Sequence, residues 1–304
     1  LKKILIFGGS GFIGRHLVDE IKDNYHITVF SRNPDKALER LPAAVNIEKT
    51  DLKKPEDIAW FFDEADAIIN LAGENVGSRW TKKKMNAIRE SRLGVDRLIA
   101  GAFQKAEQKP SCIIQGSGMG VYGFKPSDEE FTEDSPLGKE GFLTDVGIAH
   151  EKALASLEGR TRLVFLRTGL VLDRKGGALP LMAGSFKIFL GGPTGTGKQW
   201  TSWIHILDEV RAIRFLLEKE SASGAFNLTA PNPVRQKEFA KALGKAIHRP
   251  TAITTPASFL KMMMGPMAGE LLLGGLKIIP KRLMEAGFQF QYPTIEEAFG
   301  DIYH

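Results

Sequence analysis

The segment Gly8-Gly9-Ser10-Gly11-Phe12-Ile13-Gly14 constrains this chain more than any other. It follows at once on a short apolar run, Lys3–Phe7, that reads as a buried strand. It opens onto residues 13–21, whose apolar positions fall at helical spacing. Glycines at 8, 11 and 14 give a tight turn, close approach of backbone to a ligand, and close helix–strand packing. The first helical turn then presents unpaired N–H groups and a positive dipole end to an anion. Strand, glycine turn and helix in that order predict a unit that holds a pyrophosphate.

The rest of the first half repeats the alternation. His26–Ser31, 45–49 and 67–71 read as strands, and 111–115 and 163–166 as later ones. Ile88, Val95, Ile99 and Ala102 lie along one side of a long helix. Strands separated by helical periods imply a parallel sheet covered on both faces, a Rossmann-type doubly wound α/β fold. Past residue 172 the texture changes. Glycines crowd at Gly176-Gly177 and through 191–197, and residues 200–206 look extended. A helical pattern covers 209–218, and 225–228 reads as a return to the sheet. The remainder is mainly helical, and Thr294 with Glu297 has capping-box spacing for a last helix. The expected division is a dinucleotide-binding part, 1–172 with 203–231, and a smaller, mainly helical substrate-binding part, 173–202 with 232–304.

Composition narrows the partners. Among 304 residues, 41 are Lys or Arg and 36 are Asp or Glu, a formal net charge of +5. The basic residues are scattered, which argues against a nucleic-acid partner. A single cysteine, Cys112, in the apolar run Cys112-Ile113-Ile114, excludes an internal disulfide and a multi-cysteine metal site. The histidines lack metal-ligand spacing, so no metal is expected. The most apolar stretch, 259–279, is interrupted by Lys261, Pro266, Glu270 and Lys277 and is no membrane span. With a strand so close to the first residue, no signal peptide is expected. A cytoplasmic protein with a small-molecule substrate and no membrane partner is the reading.

The end of the second strand distinguishes the two nicotinamide dinucleotides. A carboxylate there binds the ribose 2′-hydroxyl, whereas an arginine accommodates a 2′-phosphate. Val29-Phe30-Ser31-Arg32-Asn33 offers no acid before Asp35. Arg32 has the planar fork for phosphate and Ser31 a hydroxyl beside it. Together they predict NADP(H).

These features resemble the extended short-chain dehydrogenase/reductase superfamily. More narrowly, the chain is similar to its atypical branch of epimerase family proteins, the nucleoside-diphosphate-sugar epimerase-like group. The likeness covers essentially the whole chain. It includes Asp51-Leu52, Asn70-Leu71-Ala72-Gly73-Glu74, Arg79-Trp80, Ser91-Arg92, Val121-Tyr122-Gly123 and Leu166-Arg167-Thr168-Gly169. Gly176-Gly177-Ala178-Leu179, Ser202-Trp203-Ile204-His205, Ala230-Pro231-Asn232-Pro233, Pro280-Lys281-Arg282-Leu283 and Gly287-Phe288 complete it. The resemblance implies that Gly8, Ser10, Gly11, Phe12, Ile13 and Gly14 form the cofactor loop. It places Asp51 and Leu52 at the adenine, Leu71, Ala72 and Gly73 along the dinucleotide, and Thr168, Gly169 and Leu170 near the nicotinamide end. Sheet core is the competing role for the side chains of Leu71, Ala72 and Leu170.

Ordinary members of that superfamily carry a tyrosine followed four residues later by a lysine that lowers its pKa for proton exchange. The tyrosines here are Tyr25, Tyr122, Tyr292 and Tyr303. Four residues after the first three stand Val29, Pro126 and Glu296, and Tyr303 is too near the end. The pair is absent. Where it belongs, Ile148 precedes Lys152, and Ser117 stands one step from the usual hydroxyl position. Tyr122 and Glu151, with His150 beside the latter, are the candidate proton carriers, packing and a solvated helix face being the alternatives. Arg167, Trp203 and His205 are candidates for contacting substrate, and Arg79 and Arg92 for clamping an anion. An internal ion pair competes for Arg167, and a hydrogen-bonded structural role for His205.

Residues 192–198 imitate a phosphate-binding P-loop, but Gln199 stands where a metal-binding hydroxyl belongs. A mobile loop at a substrate cleft is expected instead. Two functions remain open. One is an NADP(H)-dependent oxidoreductase or epimerase acting on an unidentified small, nucleotide-sugar-like substrate. The other is a non-catalytic NADP(H)-binding sensor that acts through a partner.

Overall fold

Alternate residues of Lys3–Phe7 explain why this segment runs through the middle of a sheet. Ile4 and Ile6 face one helical layer, Leu5 and Phe7 the other, and all four are buried. The computed structural model describes residues 1–49 and 54–304. Its main sheet holds seven parallel strands: β1 (Lys3–Phe7), β2 (His26–Ser31), β3 (Asn46–Lys49), β4 (Ala67–Asn70), β5 (Cys112–Gly118), β6 (Arg162–Thr168) and β7 (Gly224–Leu228). The order across the sheet is 3-2-1-4-5-6-7. Strand order therefore reverses beside β1, where Ile6 pairs with Val29 on one side and Ile69 on the other. The carboxyl ends of β1 and β4 flank the crevice that such a reversal opens.

The longer helices among the described residues are α1 (Phe12–Ile21), α2 (Lys82–Lys105), α3 (Phe142–Ala153), α4 (Leu179–Lys187), α5 (Ile206–Glu218), α6 (Gln236–Ala246), α7 (Ala257–Met264) and α8 (Ile295–Tyr303). α1 and α5 cover one face of the sheet, Leu17, Val18 and Ile21 meeting Val210, Ile213 and Leu216 in one core. α2 covers the other, burying Leu98, Ile99 and Phe103 against Leu5, Ile68 and Ile113. A third core of Leu172, Leu179, Phe186, Trp203, Phe239 and Phe299 gathers α4, α6 and α8.

The periodicity locates the seven strands and helices α1 and α5 to within a few residues. It fails at 200–206. Instead of one extended run there are two short strands, Trp200–Thr201 and Trp203–His205, and α5 begins at Ile206. Ser202 breaks the run because its hydroxyl donates to the Leu276 carbonyl and accepts from the Ile278 N–H, tying the chain to another segment. The Thr294–Glu297 pair forms the expected reciprocal cap of α8. No helix among the described residues is long and apolar enough to cross a membrane.

Candidate functional site

The glycine loop is built by three different constraints. Gly8 leaves β1 with φ of 79°, and a Cβ there would stand 2.6 Å from the Leu71 carbonyl group. The loop and the segment after β4 are thus pressed backbone to backbone. At Gly14 a Cβ would lie 2.3 Å from the Gly8 carbonyl oxygen, so α1 can pack on its own approach loop only with glycine there. Gly11 differs. It is exposed, and the nearest neighbour of a Cβ would be the Gly8 carbonyl oxygen at 3.0 Å.

Gly11 is also the N-cap of α1. Its N–H donates to the Gly8 carbonyl, no side chain caps the helix, and the first turn holds no acid. The N–H groups of Phe12, Ile13 and Gly14 have no partner within the helix and lie at its positive end. Half-buried Ser10 adds a hydroxyl to the same loop. This cradle fits the pyrophosphate of a dinucleotide. Ile13 packs on the sheet core. The Phe12 ring fills the space that Gly176 and Gly177 leave open, where a Cβ on Gly176 would come within 2.3 Å of the ring.

At the end of β2, the Ser31 hydroxyl donates to the Asn33 carbonyl and accepts from the Asn33 N–H, turning the chain. Arg32 is exposed at that turn. Asp51 and Leu52 lie outside the described residues. Leu71 and Ala72 are half-buried, and Asn70 Oδ1 accepts from the Ala72 N–H at 3.1 Å. Gly73 lies under the Arg92 guanidinium, 3.0 Å from where its Cβ would be. Arg92 Nη1 donates to the Glu74 and Ile88 carbonyls, and Arg79 is exposed.

Below this surface is a polar network in which the candidate His150 and the motif residue Asn70 meet two residues that the sequence does not single out, Asp96 and Gln115. Asn70, Asp96 and Gln115 come from β4, α2 and β5, His150 comes from α3, and all four are buried. Gln115 Nε2 donates to Asp96 Oδ1, Asn70 Nδ2 donates to Gln115 Oε1, and His150 Nδ1 lies 2.6 Å from Asp96 Oδ2. His150 Nε2 is 2.7 Å from the Gly116 carbonyl. Burial pushes the Asp96 carboxyl above its usual value, opposed by its bond to His150. The network holds Asn70, and through it the Leu71–Gly73 backbone, in place.

The structure brings three predicted residues together beside it. Arg167, on β6, meets Glu151, on α3, through two bonds, Nε to Oε1 at 3.0 Å and Nη2 to Oε2 at 2.8 Å. Its Nη1 donates to the Tyr122 hydroxyl, which in turn donates to Asn227 Oδ1 at 2.8 Å. Ser117, at the carboxyl end of β5, donates to Glu151 Oε1 at 2.9 Å. Burial holds the Tyr122 hydroxyl above the usual phenol value, with Arg167 opposing. This is the reverse of what the tyrosine–lysine pair does to its tyrosine. Burial opposes the charge on Arg167, but the bond and charge of Glu151 prevail and hold its pKa above the usual value. Ile148 packs against Val121 and Tyr122, while Lys152 is exposed.

Trp203 and His205 are not brought into this cluster. The Trp203 ring is fully buried, its N–H donating to the Asn232 carbonyl. His205 caps α5 by accepting from the Leu207 N–H through Nδ1, and its Nε2 lies 3.3 Å from Asp301. Packing and capping account for both.

Thr168 stands at the carboxyl end of β6, and its hydroxyl donates to Glu209 Oε1 at 2.9 Å. Glu209 is wholly buried, and desolvation pushes its carboxyl up to about 8. Its other oxygen has no hydrogen-bond partner. Below about pH 4.5 both folded and unfolded chains keep the proton. From there to about pH 8 only the folded chain keeps it, so stability falls as pH rises through that window. Glu209→Gln retains the acceptor for Thr168 and removes the ionisation. We expect the variant to exceed the parent in stability near pH 8, by on the order of a few kcal/mol, and to match it near pH 4. Urea unfolding across that range checks this, and parallel pH profiles would contradict it.

The P-loop imitation does not hold a phosphate-loop geometry. Gln199 is buried and donates to the Thr194 and Leu272 carbonyls, and Thr194 bridges to Thr255. The segment borders a cleft of about 440 Å³ whose other walls include Phe124, Lys125, Lys261 and Leu273.

A model of the NAD dependent epimerase/dehydratase family matches residues 4–142, and one for a domain of unknown function, DUF1731, matches 255–302. The epimerase family protein YfhF of Bacillus subtilis is 35% identical over 98% of this chain and 97% of its own. This chain belongs to the epimerase family. The human epimerase family protein SDR39U1 (isoform 2), solved with NADPH, is 32% identical with a TM-score of 0.88, covering 99% of both chains. A nucleoside-diphosphate sugar epimerase from Corynebacterium glutamicum is 28% identical with a TM-score of 0.79, over 99% of this chain and 58% of that one. In this epimerase family chain the first matched segment contains the glycine loop and β4. It ends at the start of α3, before Ile148, Glu151 and Arg167.

Proposed function

We propose that this epimerase family protein binds NADP(H) and exchanges hydride between it and a small, nucleotide-sugar-like substrate, as an oxidoreductase or epimerase. One observation carries the reading: the uncapped, acid-free N-terminus of α1 behind a glycine loop pressed onto Leu71. Arg32 at the end of β2 favours the 2′-phosphate form, and the human relative was solved with NADPH. When bound, the nicotinamide supplies or accepts the hydride. The chain's own residues must then hold the substrate and move a proton. Ser117 offers a hydroxyl that already donates to Glu151, so a proton arriving at Ser117 has a carboxylate behind it. Arg167 fixes that carboxylate, and Tyr122 closes the cluster.

Arg32→Ala should weaken NADPH binding about tenfold and leave NADH nearly unchanged, because charge-assisted bonds to a phosphate contribute roughly 1.5–3 kcal/mol. Calorimetric titration of both dinucleotides reads this directly, and equal affinities in the parent would sink the NADP(H) assignment. NADPH oxidation screened against aldehydes, ketones and nucleotide sugars tests the chemistry, followed by Glu151→Gln and Tyr122→Phe on any hit.

A second reading, a non-catalytic NADP(H) sensor, is favoured by one feature. The Tyr122 hydroxyl is buried, bonded on both sides and not acidified. Tight NADPH binding without turnover on any substrate would select it.

A further inference from the structure

Two stretches of this chain carry no acid at all: one between Asp173 and Asp208, the other between Glu238 and Glu270. The fold packs them against each other. Gly244, on α6, leaves room for Thr251 and Phe186, and the Gly192 backbone lies against Ile253. The Arg249 guanidinium sits 5.0 Å over the Phe189 ring. The surface around these contacts is basic, with Lys187 and Lys245, the neighbours of Phe186 and Gly244, both exposed.

It is also apolar. Ile188, Phe189 and Leu190, three consecutive residues at a loop tip, are 65%, 58% and 53% exposed, and Ile253 beside them is 45% exposed. On α7, Phe259, Met262 and Met263 form an unpartnered stripe at helical spacing, all at least half exposed. Side chains of this size are seldom left together in water without a partner. Phe189, at φ 63°, and His248, at φ 54°, are the non-glycine residues with left-handed backbone among the described residues. Both are the left-handed residue of a Schellman turn that ends a helix: the Leu190 N–H donates to the Ser185 carbonyl after α4, and the Arg249 N–H to the Gly244 carbonyl after α6.

We propose that this face docks on an anionic phospholipid bilayer, with the 188–190 tip entering the headgroup layer and the basic residues meeting lipid phosphates. Charge chooses among occupants. Two copies joined face to face would set Lys187, Lys245 and Arg249 against their own counterparts, with no carboxylate in either stretch to pair them. Shape argues against one shaped protein pocket, since consecutive loop residues diverge. A fluid interface accepts diverging apolar side chains flanked by lysines. The expectation of no membrane partner rests on the lack of a spanning segment. Lying on a surface needs none.

Sedimentation with vesicles of phosphatidylcholine alone, and of an equimolar mixture with phosphatidylglycerol, tests this. The parent should sediment with the mixed vesicles only, and less as salt is raised. Phe189→Ser with Leu190→Ser, and separately Lys187→Glu with Lys245→Glu, should each lower partitioning at least about tenfold. Both variants should keep the parent's melting temperature and NADPH affinity, which shows that the fold is intact. Equal sedimentation with both vesicle types, or variants that sediment like the parent, would overturn the proposal. So would a parent that dimerises without lipid while the Phe189→Ser, Leu190→Ser variant stays monomeric, since the occupant would then be a second copy.

Discussion

Gly11→Val should abolish NADPH binding in a chain that still folds. Gly11 is the one loop glycine whose missing side chain faces outward. Only the Gly8 carbonyl oxygen is near the place a Cβ would take, and φ is an ordinary −74°. A valine there meets little protein but stands between the pyrophosphate and the N–H groups of the first helical turn. The expected loss is about a hundredfold or more in affinity, or roughly 2.7 kcal/mol at least. Calorimetry gives the affinity and a thermal melt shows the fold. Parent-like affinity would place the dinucleotide elsewhere. Gly14→Val makes the contrasting control. It should damage the fold itself, because its Cβ would lie well inside the Gly8 carbonyl oxygen.

Removing Arg167 should cost more than any other single change in the cluster. Arg167 is 6% exposed, and its guanidinium is shared between Glu151 and the Tyr122 hydroxyl. Arg167→Leu leaves the half-buried Glu151 carboxylate beside Ser117 without its cation; breaking a fully buried pair costs roughly 3–5 kcal/mol, which is the upper bound here. Arg167→Leu combined with Glu151→Leu removes both charges and should recover most of that loss. Urea unfolding of parent, single variants and double variant completes the cycle. Losses that simply add would show that the two side chains do not act as a pair. Because Glu209 is buried with a raised pKa, all four chains should be compared at one pH.

Some of this is legible along the chain and some is not, for physical reasons. β1 and β4 are buried on both faces, so Ile4–Phe7 and Ala67–Ile69 are unbroken apolar runs that stand out from the helices around them. The glycine loop declares itself because three separate steric demands fall on glycines at fixed spacing. The linkage of Asn70, Asp96, Gln115 and His150 is invisible there even though Asn70 and His150 are named, since one polar residue from each of four elements makes no pattern along the chain. Asp96 offers the nearest signal, an acid in line with Ile88, Val95 and Ile99 on the buried face of α2. Glu209 is hidden differently. An acid in the first turn of a helix reads as a favourable dipole partner on a solvated face, and only the fold turns that face inward. Trp203 and His205 sit in a motif and so read as substrate contacts. The structure gives the first a place in the core and the second a helix cap.

The Phe12 ring has a consequence for how the two halves of the chain communicate. Phe12 begins the helix whose N–H groups face the proposed dinucleotide site, and it is seated on the Gly176–Gly177 step that leads into α4 and the loops beyond. Neither segment can move without the other giving way, because no side chain on the glycines can cushion a shift. A shift that a bound dinucleotide causes at the start of α1 therefore presses on the Gly176–Gly177 step through the Phe12 ring, beside the contacts α1 makes elsewhere with α5 and with Asp173. Thermodynamic reciprocity then applies. A ligand that orders the loops after α4 must strengthen or weaken dinucleotide binding by the same factor that the dinucleotide alters its own.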